Sequence, residues 1–270
     1  SFLLSQVSVR SQLSQPDDQI FQRMMQRAID QDWHQQSIHT VIQNVSERLI
    51  GTPYAEHLLD QTEKETLFTS LREFDCVLFV ETVLAMARGI VAQDYSQTTF
   101  TKHLQEQRYE NGAIDGYCSR LHYFSYWIED NERRGIVTDL TASLGGVPLN
   151  KTLNFMSTNW RKYPKLVKSE KEHRCIEQME ARLNSTRVHY IPTRQIRSIY
   201  GQLQPGDIVA IATQISGLDV THTGLIYRNA KGEIGLIHAA PGSGVKVSRD
   251  LKTYVSRVED AIGILVARPK

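Results

Sequence analysis

The chain has 270 residues, 40% of them hydrophobic, enough for one large domain or two small ones with a full core. Sixteen glycines and eight prolines exclude collagen-like and Pro/Gly-rich disordered compositions. With 31 basic and 30 acidic residues spread along the chain, the net charge is +1, which leaves no basic face for duplex nucleic acid. No stretch approaches the ~18 consecutive apolar residues of a membrane span. Cys76, Cys118 and Cys175 allow at most one disulfide and leave a thiol over. The run Phe2-Leu3-Leu4 behind Ser1 is too short for the apolar stretch of a signal peptide, so the residues themselves assign no compartment.

The first third reads helical, residues 1–36 forming an N-terminal helical extension. Ile38, Val41, Ile42, Val45 and Leu49 fall on one face of a helix, which Gly51-Thr52-Pro53 ends before Tyr54. A short helical stretch then leads to Arg72-Glu73-Phe74-Asp75-Cys76. From Val77 to Ala87 the residues are apolar on every side, the mark of a buried helix, with Asp75 as its N-cap and Gly89 as its stop. Residues 97–200 are less regular. Leu121, Phe124 and Ile128 predict a helix ending at Arg133-Arg134-Gly135, where basic residues suit the dipole and glycine the left-handed cap. A second helix covers 171–184. The last seventy residues read as strands: Ile208–Ile211 after a Gly206-Asp207 turn, Thr223–Tyr227 and Ile234–Ile237 joined by Asn229-Ala230-Lys231-Gly232, and Ile262–Val266. Helices first and antiparallel strands after is the α+β order. No repeat, low-complexity segment or linker divides the chain, which reads as a single domain over 1–270.

Cys76 at the start of a buried helix sits at the positive end of the macrodipole, a position that stabilises thiolate, the nucleophilic form. The plain alternative is a core cysteine. A cysteine nucleophile needs an imidazole and a third polar group to orient it. His222 opens one strand run and His238 closes another. A hairpin turning near 229–232 pairs residues whose numbers sum to about 460, which sets His222 opposite His238 on one face, ~5 Å apart. Gly224 on that face leaves room for the Cys76 helix.

Gly51-Thr52-Pro53-Tyr54, Phe74-Asp75-Cys76, Pro205-Gly206-Asp207-Ile208-Val209, His222-Thr223-Gly224-Leu225-Ile226-Tyr227 and Ile237-His238-Ala239 occur in that order. The set resembles the NlpC-type papain-like cell-wall cysteine hydrolases over a core of about 40–90 and 200–268. Two departures from the common pattern, Val77-Leu78-Phe79-Val80-Glu81 after Cys76 and a long insert of about 97–200, look like the N-acetylmuramoyl-L-alanine amidase-like branch. The insert block Gly112-Ala113-Ile114-Asp115-Gly116-Tyr117-Cys118-Ser119-Arg120-Leu121-His122-Tyr123 is similar to that branch as well. The resemblance implies a papain-like core in which the helix bearing the nucleophile packs on the C-terminal antiparallel sheet. It implies Cys76 as nucleophile, His222 as general base and His238 as orienting residue, without a cofactor. The implied reaction cleaves the amide between N-acetylmuramic acid and L-alanine in a peptidoglycan fragment, in the cell envelope. No oligomeric state is implied.

Tyr54 either lines the cleft or is a half-buried residue after a turn. Arg120 suits a substrate carboxylate and His122 a hydrogen bond; the alternative for both is an ordinary helix-end surface pair. Tyr109, Tyr117, Tyr123, Tyr126 and Trp127 offer flat faces for a sugar ring if the insert folds over the Cys76 cleft, and a second core if it does not. Glu81 calls for a buried arginine. Cys118 and Cys175 read as structural or incidental, and His34, His39, His57, His103, His173 and His189 as surface residues. A zinc site on Cys76, His222 and His238 is a rival, but neither HExxH nor CxxC is present. Gly242-Ser243-Gly244 is neither a nucleophile elbow nor a phosphate loop. Other functions to be weighed are an endopeptidase acting within the stem peptide and a muropeptide-binding module without turnover. A permuted lipid acyltransferase expects the histidine before the cysteine, the reverse of the order here.

Overall fold

The computed structural model describes residues 13–270, so Phe2-Leu3-Leu4 lies outside the described residues. In chain order the helices are α1 (Gln15–Asp30), α2 (Ile38–Arg48), α3 (Cys76–Val91), α4 (Gln97–Arg108), α5 (Phe124–Arg133), α6 (Phe155–Thr158), α7 (Pro164–Lys168), α8 (Glu170–Leu183) and α9 (Leu251–Arg257). The strands are β1 (Val137–Asp139), β2 (Val147–Pro148), β3 (His189–Pro192), β4 (Ile208–Thr213), β5 (Val220–Arg228), β6 (Ile234–Ala240), β7 (Gly244–Ser248) and β8 (Ala261–Pro269). They form one antiparallel sheet in the order β2-β3-β8-β4-β5-β6-β7, with β1 also on β8. The architecture is mixed α+β, as the order of helical and strand patterns predicts.

Polar caps start the main helices. Ser14, Ser37 and Asp75 accept from the backbone N–H three residues on, Asp75 at 2.7 Å from Leu78. α3 runs past Gly89 to Val91; the missing Cβ at Gly89 leaves room for the close approach of the Asp94 carbonyl, so the glycine does not act as the expected stop. From Leu78 to Ala87 every residue of α3 is buried. Each large apolar side chain so buried contributes about 1.5–3 kcal/mol before ordering costs. The acid on that helix, Glu81, accepts from Arg108 Nε at 3.0 Å and Trp127 Nε1 at 3.1 Å, which bolts α3 to α4 and α5. Of the short helical stretch expected before Arg72, the structure has the 3-10 helix Leu58–Asp60, and residues 61–75 after it are irregular. Their backbone is held by side chains remote in sequence: Asp17 takes the Leu71 N–H, and Arg108 donates to the Phe68 carbonyl.

The sheet has two apolar faces. Ala210, Leu225, Ile237 and Ala239 join the core that contains α3. Val209, Ile226 and Leu236 belong to a second core with Leu251 and Val255 of α9 and the 3-10 helix Thr193–Gln202. The turn after β5 closes with Asn229 N–H donating to Glu233 O, and the ladder pairs Leu225 with Ile237 and Ile226 with Leu236.

Candidate active site

That register moves the pairing sum from the expected 460 to 462. His238 therefore stands across from Gly224, where a Cβ would come within 2.9 Å of the His238 Cβ. A shift of two preserves the face, so His222 and His238 remain neighbours, on the diagonal rather than directly opposite. His222 Nε2 and His238 Nδ1 are 2.7 Å apart, and His238 Nε2 lies 2.9 Å from Ser248 Oγ on β7. With Nε2 committed to His238, the nitrogen His222 can offer to another group is Nδ1.

The helix carrying Cys76 is on the other side. α3 packs on the Leu225 and Ile237 face, while the histidines project from the α9 face, and the space at Gly224 is filled by His238 and Leu236. Both faces of β5 are apolar, so alternation alone does not say which one a helix covers. The N-terminus of α3 nonetheless brings the thiol to the same end of β5. Thr223, next to His222, offers its backbone and hydroxyl to the sulfur, although that hydroxyl makes no hydrogen bond of normal geometry. Tyr254 of α9 is within electrostatic reach of Cys76, and its ring lies 4.6 Å from His238 and 6.1 Å from His222.

Burial and then the Asp75 carboxylate push the partly buried Cys76 thiol up to about 11. Desolvation and a neighbouring acid thus favour the thiol at rest and oppose the thiolate expected from the helix start. Burial lowers His222 to about 4. It lowers His238 to about 3, with help from the charges of His222 and Lys246. At neutral pH the cluster is therefore one thiol and two neutral imidazoles.

Tyr54 is half-buried and held beside the cysteine by a parallel bridge to Phe74: Phe74 N–H donates to Pro53 O, and Ala55 N–H to Phe74 O. Burial and then the charge of Cys76 raise its hydroxyl. The loop before it docks on β7, with Val245 N–H donating to Thr52 O and Gly51 N–H to Val245 O, each at 2.9 Å.

In the insert, Arg120 is buried between Asp60 at 2.7 Å and Glu65 at 3.3 Å, with Tyr117 5.1 Å beneath its guanidinium. Its charge reaches Asp75, whose carboxyl burial raises and Leu78 N–H and Arg108 pull back. His122 takes up Tyr117 O through Nε2 at 2.8 Å; burial, then Arg120, lowers it to about 3. Both are interior groups, not the surface pair of the plain alternative. Tyr109, Tyr117, Tyr123, Tyr126 and Trp127 are all buried, so the open sugar-stacking faces expected of them are absent; they fill core. Tyr117 also borders a cavity of about 970 Å³ with Asp60, Lys64, Asp115, Lys165 and Glu172. Cys118 and Cys175 form a disulfide tying that loop to α8, leaving Cys76 free. His34, His39, His103, His173 and His189 are partly buried rather than exposed. Among the described residues no group of three or more His, Cys, Asp or Glu is placed to hold a metal.

Sequence reasoning missed Ser248, Thr223 and Tyr254. Ser248 had a signal, because it ends an alternating Val245-Lys246-Val247-Ser248 run; Tyr254 had none without the helix it stands on.

These features define an α+β protein with a free thiol, a hydrogen-bonded histidine pair and a half-buried tyrosine gathered at one end of its sheet. The chain belongs to the AmiA-like, N-acetylmuramoyl-L-alanine amidase-like family, which matches residues 44–264. It is similar to an N-acetylmuramoyl-L-alanine amidase from Bacteroides uniformis ATCC 8492, solved at 1.07 Å, with 30% identity, a TM-score of 0.81, and coverage of 86% of this chain and 99% of that one. A Bacteroides fragilis protein described as a proposed xylanase is 33% identical, with a TM-score of 0.73 over 83% of this chain and 99% of that one. A Legionella pneumophila protein, 20% identical with a TM-score of 0.71 over 93% and 95% of the two chains, shares the fold. Among curated proteins none matches the sequence.

Proposed function

We propose that this protein is a papain-like cysteine amidase of the NlpC type that hydrolyses the N-acetylmuramic acid–L-alanine amide of peptidoglycan fragments, in a single catalytic domain. The observation that carries the reading is the chain His222–His238–Ser248 beside a free thiol at a helix start. For His222 Nδ1 to accept a proton, Nε2 must carry one and donate it to His238 Nδ1. His238 then bears its proton on Nε2 and donates to Ser248, so one tautomer arrangement satisfies every bond. Cys76 attacks the amide carbonyl while His222 takes the thiol proton, which suits two groups that rest neutral. The proton passes to the leaving amine of L-alanine, the C–N bond breaks, and a thioester remains. Water, deprotonated by His222, releases the muramic acid carboxylate and the thiol. The Cys76 backbone N–H and the Tyr54 hydroxyl are assigned to the developing oxyanion, since the Leu78 N–H at the start of α3 is taken up by Asp75.

Of the residues assigned to substrate, Tyr54 is half-buried beside the thiol and Tyr117, though buried, borders the cavity with Asp60 and Glu172. Arg120 and His122 act behind them, Arg120 holding Asp60 and Glu65, and His122 the Tyr117 carbonyl. The chemistry needs no cofactor. The Cys118–Cys175 disulfide fits an oxidising, extracytoplasmic compartment such as the cell envelope. Among the described residues no helix is long and apolar enough to cross a membrane. Xylan hydrolysis of the usual kind would need two carboxylates flanking the bond, whereas Asp75, the acid next to Cys76, is engaged as a helix cap.

The test is mass analysis of products from defined muropeptides. Free disaccharide plus intact stem peptide is the expected result, abolished by Cys76→Ala. Cleavage inside the stem would make the protein an endopeptidase, and binding without any product a recognition module.

A further inference from the structure

The His222–His238 pair is bounded by few groups that can titrate. From β7 come Ser248, hydrogen-bonded to His238, and the cationic Lys246 paired with it in register; from α9 comes Tyr254, which is also within electrostatic reach of Cys76 on α3. Along β5 and β6 the neighbours are Thr223, Gly224 and Leu236. No carboxylate among the described residues acts on either ring, so nothing offsets the burial that lowers both. Tyr254 is the large side chain that covers the pair from the face opposite α3. Its ring is tilted 59° to His238 and 53° to His222. It is fixed there. Asp250 caps α9 by accepting from Thr253 N–H, Tyr200 donates its hydroxyl to Asp250 and accepts from Lys252 N–H, and Leu251 and Val255 are buried on either side.

We propose that Tyr254 is a positioning residue of this site, its ring shutting water away from the inner side of the histidine pair and setting the tilt of His238 against His222. The inference rests on the reading of Cys76, His222 and His238 as the reacting groups. The part played by the ring separates cleanly from any part played by the hydroxyl, since phenylalanine keeps one and lacks the other.

The test follows the imidazole Cε1 protons by NMR through a pH titration of the full chain and of Tyr254→Phe and Tyr254→Ala. With the ring gone, water reaches the pair, and the His222 midpoint should rise by about one pH unit or more toward the ordinary value. Tyr254→Phe should titrate as the parent does. In muropeptide hydrolysis the acid limb of kcat should move up with the midpoint in the alanine variant, with KM changed less than about twofold. A role in packing alone would lower stability and leave the midpoint in place. An unmoved titration in a folded Tyr254→Ala protein, or a phenylalanine variant shifted as far as the alanine one, overturns the proposal. If the alanine variant does not fold, Tyr254→Val, which also removes the ring, decides by the same midpoint. Should no form of the protein hydrolyse muropeptides, the amidase reading fails, while the titration still decides the place of Tyr254.

Discussion

Alkylation by iodoacetamide reports on a single group in this protein, because Cys118 and Cys175 are joined and Cys76 is free. Burial and Asp75 raise the Cys76 thiol from 9.0 to about 11. At pH 7 that leaves a thiolate fraction of ~10⁻⁴ in place of ~10⁻², so alkylation should run about a hundredfold slower than for an unperturbed cysteine. The rate should climb about tenfold per pH unit between pH 6 and 10. Asp75→Asn keeps an oxygen for the Leu78 N–H and removes the charge. It should lower the thiol and speed alkylation several-fold at pH 8, without bringing it to the ordinary value, since burial is the larger cause. Hydrolysis should depend on pH in another way. The active form pairs the thiol with a neutral His222, which burial holds neutral down to about 4, so kcat/KM should be level at neutral pH and fall only near that value. An alkylation rate that is level from pH 5 to 8, the mark of a standing thiolate–imidazolium pair, would refute this account of the resting site.

Arg108→Met leaves the Glu81 carboxylate buried with Trp127 as its remaining donor, and should cost about 3–5 kcal/mol in urea unfolding. Burial raises Glu81, so the deficit should shrink as pH falls and the acid protonates; a loss below about 1 kcal/mol at neutral pH would contradict the pairing. Gly244→Ala would set a Cβ 2.4 Å from Thr52 O at a φ of +74°, and should lower both the melting temperature and hydrolysis by moving the Tyr54 loop. Gly242→Ala, at φ +75° with nothing within 4 Å, is the control that carries backbone strain alone and should leave hydrolysis intact. Cys118→Ser with Cys175→Ser opens a cross-link between residues 57 apart, and should cost on the order of 4 kcal/mol while leaving the Cys76 alkylation profile unchanged. A changed profile would mean that the disulfide sets the geometry around the thiol.

What the sequence exposes here is local. Asp75 before an apolar run announces the start of α3, and the alternation in β5 and β6 puts both histidines on one face. The exact pairing depends on how Asn229 closes onto Glu233, with Gly232 at φ +80°, which centres the turn one residue further along than the expected sum implies. The shift of two that results is harmless only because side chains repeat every second residue. Which face receives α3 is settled by packing that β5, apolar on both sides, does not encode in its own pattern. The 61–75 segment eludes local reading for another reason, since Asp17 and Arg108 satisfy its backbone from more than 35 residues away. The aromatics at 109–127 show why composition misleads: rings suited to stacking on a sugar are equally suited to filling a core, and here they fill it.

The strand at the far edge of the sheet would ordinarily present a row of unpaired N–H and C=O groups, an invitation to another chain. Here Gly51 and Thr52 take two of those groups on Val245, and the close approach leaves no room for a side chain at Gly244. The segment that blunts this edge is the one that delivers Tyr54 to the thiol. An intruding strand would have to evict it, so aggregation through this edge and a complete site exclude each other. In samples that begin to associate by that route, loss of activity should come before loss of helix signal, and a ligand that holds Tyr54 in place should delay both.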